Sequence, residues 1–230
     1  MIDLAQLRGR LIVSCQAPDG SPLRDPGIIA AIAEAVVAAG AAAVRINSAA
    51  HVAAVRKRVD VPIIGLEKVI DQRGAQWITP TLDDAKALRD AGADIVALDA
   101  TIRERPGTRV EVLLPAVREL GVPVMADIDD VEAGRWATQL GAELVGTTLS
   151  GYTTAKQNRL GDPDIDLVEA LAALSVSVIA EGRIKSPAEV AAAFEAGAFA
   201  VVVGTSITEP MALTRRFLAA TPTLTKGTSS

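Results

Sequence analysis

The chain predicts a single (β/α)8 barrel, the TIM-barrel class of α/β fold, on three observations: eight short apolar runs, helix-like segments between them, and a fourfold internal repeat. In chain order the runs are LIVSCQ (11–16), AAVRIN (42–47), PIIGLEK (62–68), DIVALD (94–99), PVMADI (123–128), ELVGTT (143–148), SVIAEG (177–182) and FAVVVG (199–204). Such near-continuous β-branched runs suit parallel strands covered on both faces. The repeat shows as Ala39-Gly40-Ala41, Ala91-Gly92-Ala93, Leu140-Gly141-Ala142 and Ala196-Gly197-Ala198, each just before a strand. The spacing of roughly 50 residues is two βα units, a quarter of a barrel. Each glycine is expected just past a helix, where a left-handed conformation costs Gly little.

Segments such as Ile28–Ala39 and Ala188–Ala196 carry apolar residues every three or four positions and are expected as outer helices. Ser186-Pro187-Ala188-Glu189 is a capping box with proline at the first helical position, and Thr81-Leu82-Asp83-Asp84 is a looser one. A doubly wound open sheet competes, but no glycine fingerprint follows the first run and eight units leave little room for a second lobe. The expected domain is therefore 1–220 as barrel, with 221–230 as a flexible polar tail.

At 230 residues, half of them apolar, one core of this size needs neither disulfides nor metal. Cys15, the single cysteine, is expected as a buried core thiol in a reducing compartment. There is no basic, apolar leader and no run long enough to span a bilayer, so a cytoplasmic location is expected, without a membrane partner. A net charge of −5 and 3% aromatic content argue against nucleic acid. The expected partner is a small molecule, with a homodimer left open.

At a barrel mouth the residues ending the runs converge. Lys68 ends the third and Glu181 the seventh, across the mouth from one another. A lysine near apolar walls and other cations loses its preference for the charged form and becomes usable as a base beside a carbonyl. Lys68 and Glu181 are thus the expected catalytic pair. Gln16 and Arg45 offer hydrogen bonds to ligand oxygens. Asp127 has three open readings: holding a hydroxyl, orienting Lys68, or a strand-end salt bridge. Thr148 completes the expected binding set on this side. Asp99 is expected to pair with Arg103 or Arg105.

Phosphate is expected after the last two runs, at Gly182-Arg183 and Gly204-Thr205, where barrels often bind it through loop amides and a short helix N-terminus. No His/Cys cluster suggests a metal, and no cofactor is expected. His51, the only histidine, is expected at the surface.

With these residues in hand, the chain resembles bacterial N-acetylmannosamine-6-phosphate 2-epimerases. The matching stretches are LIVSCQA (11–17), VRIN (44–47), PIIG with Lys68, ITPT (78–81), LDAT (98–101), MAD (125–127), VGTTLSGYT (145–153) and IAEGRI (179–184). The resemblance implies inversion at carbon 2 of an N-acylated amino sugar phosphate without cofactor, in amino sugar or sialic acid catabolism. It implies that Lys68 accepts and returns the proton, that Glu181 is essential, and that Gln16, Arg45, Asp127 and Arg183 surround the sugar or its phosphate. Two regions depart from the family. Gly204-Thr205-Ser206-Ile207-Thr208-Glu209-Pro210 stands for Gly-Gly-Ala-Ile-Thr-Arg-Pro, and Val69-Ile70-Asp71 stands for Arg-Asp-Tyr. An isomerase for a related, differently charged amino sugar and a non-catalytic sugar-phosphate-binding barrel are the alternatives.

Overall fold

A computed structural model describes residues 2–105, 107–153 and 161–222. The expected tail, 221–230, lies outside them apart from Thr221 and Pro222. The strands are β1 (Leu11–Cys15), β2 (Ala43–Asn47), β3 (Ile63–Leu66), β4 (Lys68–Ile70), β5 (Gln76–Ile78), β6 (Ile95–Asp99), β7 (Val124–Asp127), β8 (Leu144–Gly146), β9 (Val178–Glu181) and β10 (Ala200–Val203). Eight of them close into a parallel barrel in the order β1-β2-β3-β6-β7-β8-β9-β10, and β10 pairs back onto β1 with Val13 opposite Val203. The (β/α)8 expectation holds.

Helices α1 (Pro26–Ala38), α2 (Ala49–Arg56), α3 (Leu82–Asp90), α4 (Val110–Arg118), α5 (Val131–Gln139), α6 (Ile165–Ala172) and α7 (Pro187–Glu195) alternate with these strands. After β10 come the short α8 (Thr205–Thr208) and then α9 (Pro210–Leu218). Local chemistry sets their starts. Asp25 accepts from the amides of Gly27 and Ile28 at the start of α1, and both capping boxes form in full, Thr81 with Asp84 and Ser186 with Glu189. The four repeat glycines, Gly40, Gly92, Gly141 and Gly197, all have φ near +100°, between +95° and +106°. At the first of them the amides of Gly40 and Ala41 bond back to Val37 and Val36, closing the end of α1.

The strand side chains sort by alternation. One set, including Val13, Val44, Ile63, Val96, Val124, Val145, Val178 and Val201, packs outward against helix residues such as Ala33, Leu88, Leu113 and Leu171. Cys15 belongs to it and is buried, its thiol pushed up to about 12 by burial, which leaves it inert as a nucleophile. The other set, Ile12, Ala43, Ile64, Ile95, Met125, Leu144, Ile179 and Val202, fills the barrel. A 3-10 turn at Leu4–Leu7, not foreseen from the sequence, adds Leu7 to this inner cluster.

The inner set positions the site. Two or four residues further along each strand, the same period puts Ser14 and Gln16, Arg45 and Asn47, Lys68, Asp99, Asp127, Gly146 and Thr148, Glu181, and Gly204 at the carboxyl end of the barrel. The third run departs from expectation. β3 stops at Leu66, and Lys68 opens an antiparallel hairpin in which it pairs with Ile78. Lys68 is therefore not a strand-end residue of the barrel itself. Asp71 closes the turn, its carboxylate accepting the amides of Arg73 and Ala75, with Gly74 at φ +80°.

Candidate active site

Arg45 is the centre of the inner arc. Only 1% exposed, it projects from β2 and ion-pairs with both Asp127 on β7 and Glu181 on β9. Thr148 lies 3.4 Å from the guanidinium and donates its hydroxyl to Asp127 at 2.6 Å. Burial works against the charge on Arg45, but the two carboxylates outweigh it and hold its pKa above the ordinary value. Burial raises Asp127 to about 7; the Arg45 charge opposes that rise and Glu181 adds to it. This close packing depends on Gly146, since a Cβ there would sit 2.5 Å from the Met125 methyl and 3.0 Å from both Asp127 and Thr148.

Lys68 faces this arc from the hairpin. By overall surface it is exposed, yet its ammonium is desolvated by the protein around it. That desolvation, and then the Arg45 charge, lower its pKa, while Glu181 and Asp127 pull the other way. The sequence thus brings Lys68, Glu181, Arg45, Asp127 and Thr148 into one electrostatic group. Of the three readings of Asp127, the ion pair is the one made within the protein. Gln16, one residue past β1, donates to Ser14 at 2.9 Å. Among the described residues, Gln16 Oε1, Arg45 Nε and Glu181 Oε2 are buried without a hydrogen-bond partner, an acceptor–donor–acceptor set suited to an oxygen-rich ligand.

Two supports were not assigned from the sequence. Asn47 Oδ1 accepts the Lys68 backbone amide at 2.9 Å, and the Thr147 hydroxyl accepts from the Glu181 amide at 3.0 Å while donating to its carbonyl at 2.9 Å. Both residues stand at run ends, which is visible in the sequence, but backbone partners of this kind are not.

The other arc is made by loops. Gly182 (φ +112°) and Arg183 (φ +59°) follow β9; Gly204 precedes Thr205 at the start of α8, the short helix expected after the eighth run. The first amides of α8 have no carbonyl behind them in the helix. The Arg183 guanidinium bonds the backbone carbonyls of Asp162, at 2.7 Å, and Ser150. Glu209, at the junction of α8 and α9, is half-buried.

Two further expectations are settled. Arg103 pairs with Asp99 at 2.6 Å, and Arg105 donates to the Asp99 carbonyl at 2.6 Å. His51 is not at the surface. It is 9% exposed, held between the Ser48 hydroxyl at 2.5 Å and the Arg24 carbonyl at 2.8 Å. The loop between β1 and α1 folds over the first turn of α2, a contact that periodicity cannot reveal. Among the described residues, no group of His, Cys, Asp and Glu is placed to hold a metal ion.

Residues 29–223 match the family model "Putative N-acetylmannosamine-6-phosphate epimerase". A protein of Thermosynechococcus vestitus, named as a 2-epimerase of that sugar phosphate, is 52% identical over 88% of this chain and 89% of its own length. One of Caldanaerobacter subterraneus, named alike, is 45% identical over 94% and 92%. The solved structure of the N-acetylmannosamine-6-phosphate 2-epimerase of Clostridium perfringens superposes with a TM-score of 0.88 at 38% identity, covering 93% of each chain. A thiamine phosphate pyrophosphorylase of Pyrococcus furiosus, at 14% identity and a TM-score of 0.58, shares the fold alone. On the family match and these identities, the chain belongs to the N-acetylmannosamine-6-phosphate epimerase family.

Proposed function

We propose that this chain interconverts N-acetylmannosamine 6-phosphate and N-acetylglucosamine 6-phosphate by moving one proton at carbon 2, with Lys68 as the group that takes and returns it. The reading rests on one observation above the others: two carboxylates and one guanidinium share a buried cluster that Lys68 faces. With Lys68 protonated, the charges of Lys68, Arg45, Asp127 and Glu181 sum to zero. When Lys68 is neutral, Arg45 balances only one carboxylate, and Asp127, whose pKa is raised to about 7, takes up the excess proton. The cluster thereby tolerates a neutral lysine near neutral pH.

Carbon 2 is acidic only when carbon 1 is an open-chain aldehyde. The unpartnered Glu181 Oε2 is suited to the ring or hydroxyl oxygen during opening, and Gln16 and Arg45 to the sugar oxygens. Lys68 Nζ then removes the proton and the electron pair moves to the carbon 1 oxygen as an enolate; the intermediate turns about the carbon 2–carbon 3 bond to present its other face to the same ammonium, and the proton returns to carbon 2 from there. Gly182, Arg183, Gly204 and Thr205 would hold the phosphate through loop amides and the start of α8.

The test is to follow carbon 2 by NMR in deuterated water with N-acetylmannosamine 6-phosphate. Wild type should exchange and epimerise. Lys68→Met, at an exposed position, should keep its thermal midpoint and lose about 10²–10⁴-fold in exchange. Wild-type exchange in folded Lys68→Met would rule out the lysine. A second reading, a related amino sugar with less negative charge at the far end, is favoured by Glu209 standing beside the loop arc and by the engagement of Arg183 with backbone carbonyls.

A further inference from the structure

We infer that Arg103 is a positioning residue for Lys68, clamping the hairpin that carries it to the barrel; this rests on the reading of Lys68 as the base. The hairpin β4–β5 stands outside the closed sheet, so the strand hydrogen bonds that fix Arg45, Asp127 and Glu181 do not fix Lys68. A base must hold its place to within a fraction of an ångström to be effective.

Arg103 adds a side-chain grip to the bonds that the Lys68 amide makes to Asn47 and the Thr79 hydroxyl makes to the Ala97 carbonyl. Its guanidinium lies over the Trp77 ring, 3.8 Å from the centroid, and its Nη2 donates to the Gln76 carbonyl at 2.9 Å, so it grips β5 by face and by backbone. The same Nη2 bonds the fully buried Asp99 carboxylate at 2.6 Å, and Nε donates to Thr101 at 3.0 Å, which ties the other side to the end of β6. Asp99 is itself held by the amide and hydroxyl of Thr101, at 3.0 and 2.7 Å. Trp77 in turn donates to Asp71 in the hairpin turn at 3.0 Å, so the grip reaches both strands. Across the ladder, Val69 pairs with Trp77 and Lys68 with Ile78. A planar fork is needed for this; a lysine offers one point charge and cannot both stack and bridge.

The experiment compares wild type, Arg103→Gln, Arg103→Lys and Lys68→Met for steady-state kinetics and for amide hydrogen exchange across Lys68–Ile78. Arg103→Gln should lower kcat by about 10²-fold with KM within about threefold, because a displaced base impairs chemistry more than binding. Its hairpin amides should exchange at least tenfold faster while those of β6 and β7 keep their rates. Arg103→Lys should recover only part of both. Unchanged hairpin exchange in Arg103→Gln would overturn the clamp, and fast hairpin exchange with wild-type kcat would overturn the positioning role. Full activity of Lys68→Met would instead remove the underlying reading and leave the clamp standing. Should Arg103→Gln not fold, Trp77→Phe keeps the ring and drops the Asp71 bond, and the same paired change in exchange and kcat, about tenfold, is expected; its absence counts equally against the proposal.

Discussion

From Arg45 round to Glu181 the mouth is made of side chains rooted, Lys68 apart, in the barrel strands and their ends, whereas from Gly182 to Glu209 it is made of loop backbone and one short helix. The first arc is buried and internally paired: Arg45 is 1% exposed, Asp127 not at all, and each partner holds the next. The second is half open, and its cation, Arg183, is tied to carbonyls of a neighbouring loop. In the first arc the loss of Arg45 leaves two buried carboxylates without their cation, which is costly; in the second, water can take over.

The largest contrast should come from removing one cation from each arc. Arg45→Met strands Asp127 and Glu181 together and should cost about 3–5 kcal/mol in urea denaturation. Arg183→Met releases two carbonyls that water can reach and should cost about 1 kcal/mol. Equal losses would erase the distinction between the arcs. Next in size is a pH effect confined to the first arc. Asp127 sits at about 7 when folded, above its ordinary value, so its protonated form favours the folded state. That contribution is complete below the ordinary carboxylate range of about 4 and is lost as pH rises through about 7. Thermal midpoints taken from pH 4 to pH 8 should therefore fall more steeply in wild type than in Asp127→Asn; parallel curves would show that Asp127 ionises freely.

The smallest effect belongs to the second arc. If phosphate is held there, Glu209→Arg should lower KM for N-acetylmannosamine 6-phosphate by about fivefold at most, less at high salt, since an exposed charge pair is worth about 0.2–1 kcal/mol. A rise in KM would favour the reading with a less charged substrate.

Several particulars show how far a sequence reaches. Lys68 was legible as a mouth residue because the inward period of Ile64 and Leu66 runs on to it, but the hairpin it opens was not, since a single Glu67 separates β3 from β4. Arg103 was legible as the partner of Asp99, four residues away, whereas its stack on Trp77 joins a loop to a hairpin strand 26 positions earlier. His51 gave no local sign of burial because the loop covering it comes from before α1.

What the sequence determined alone is what neighbours along the chain decide: alternating apolar runs, capping boxes, and glycines past helix ends, hence the barrel and the roster of residues at its mouth. What only the tertiary structure decided is which members of that roster meet. Arg45 and Asp127 lie 82 positions apart and touch because barrel closure sets β2 across from β7. The pairing of charges, and with it the shifted proton affinities of Lys68 and Asp127, depends on distance through space and on exclusion of water, and neither is encoded in any local stretch of chain.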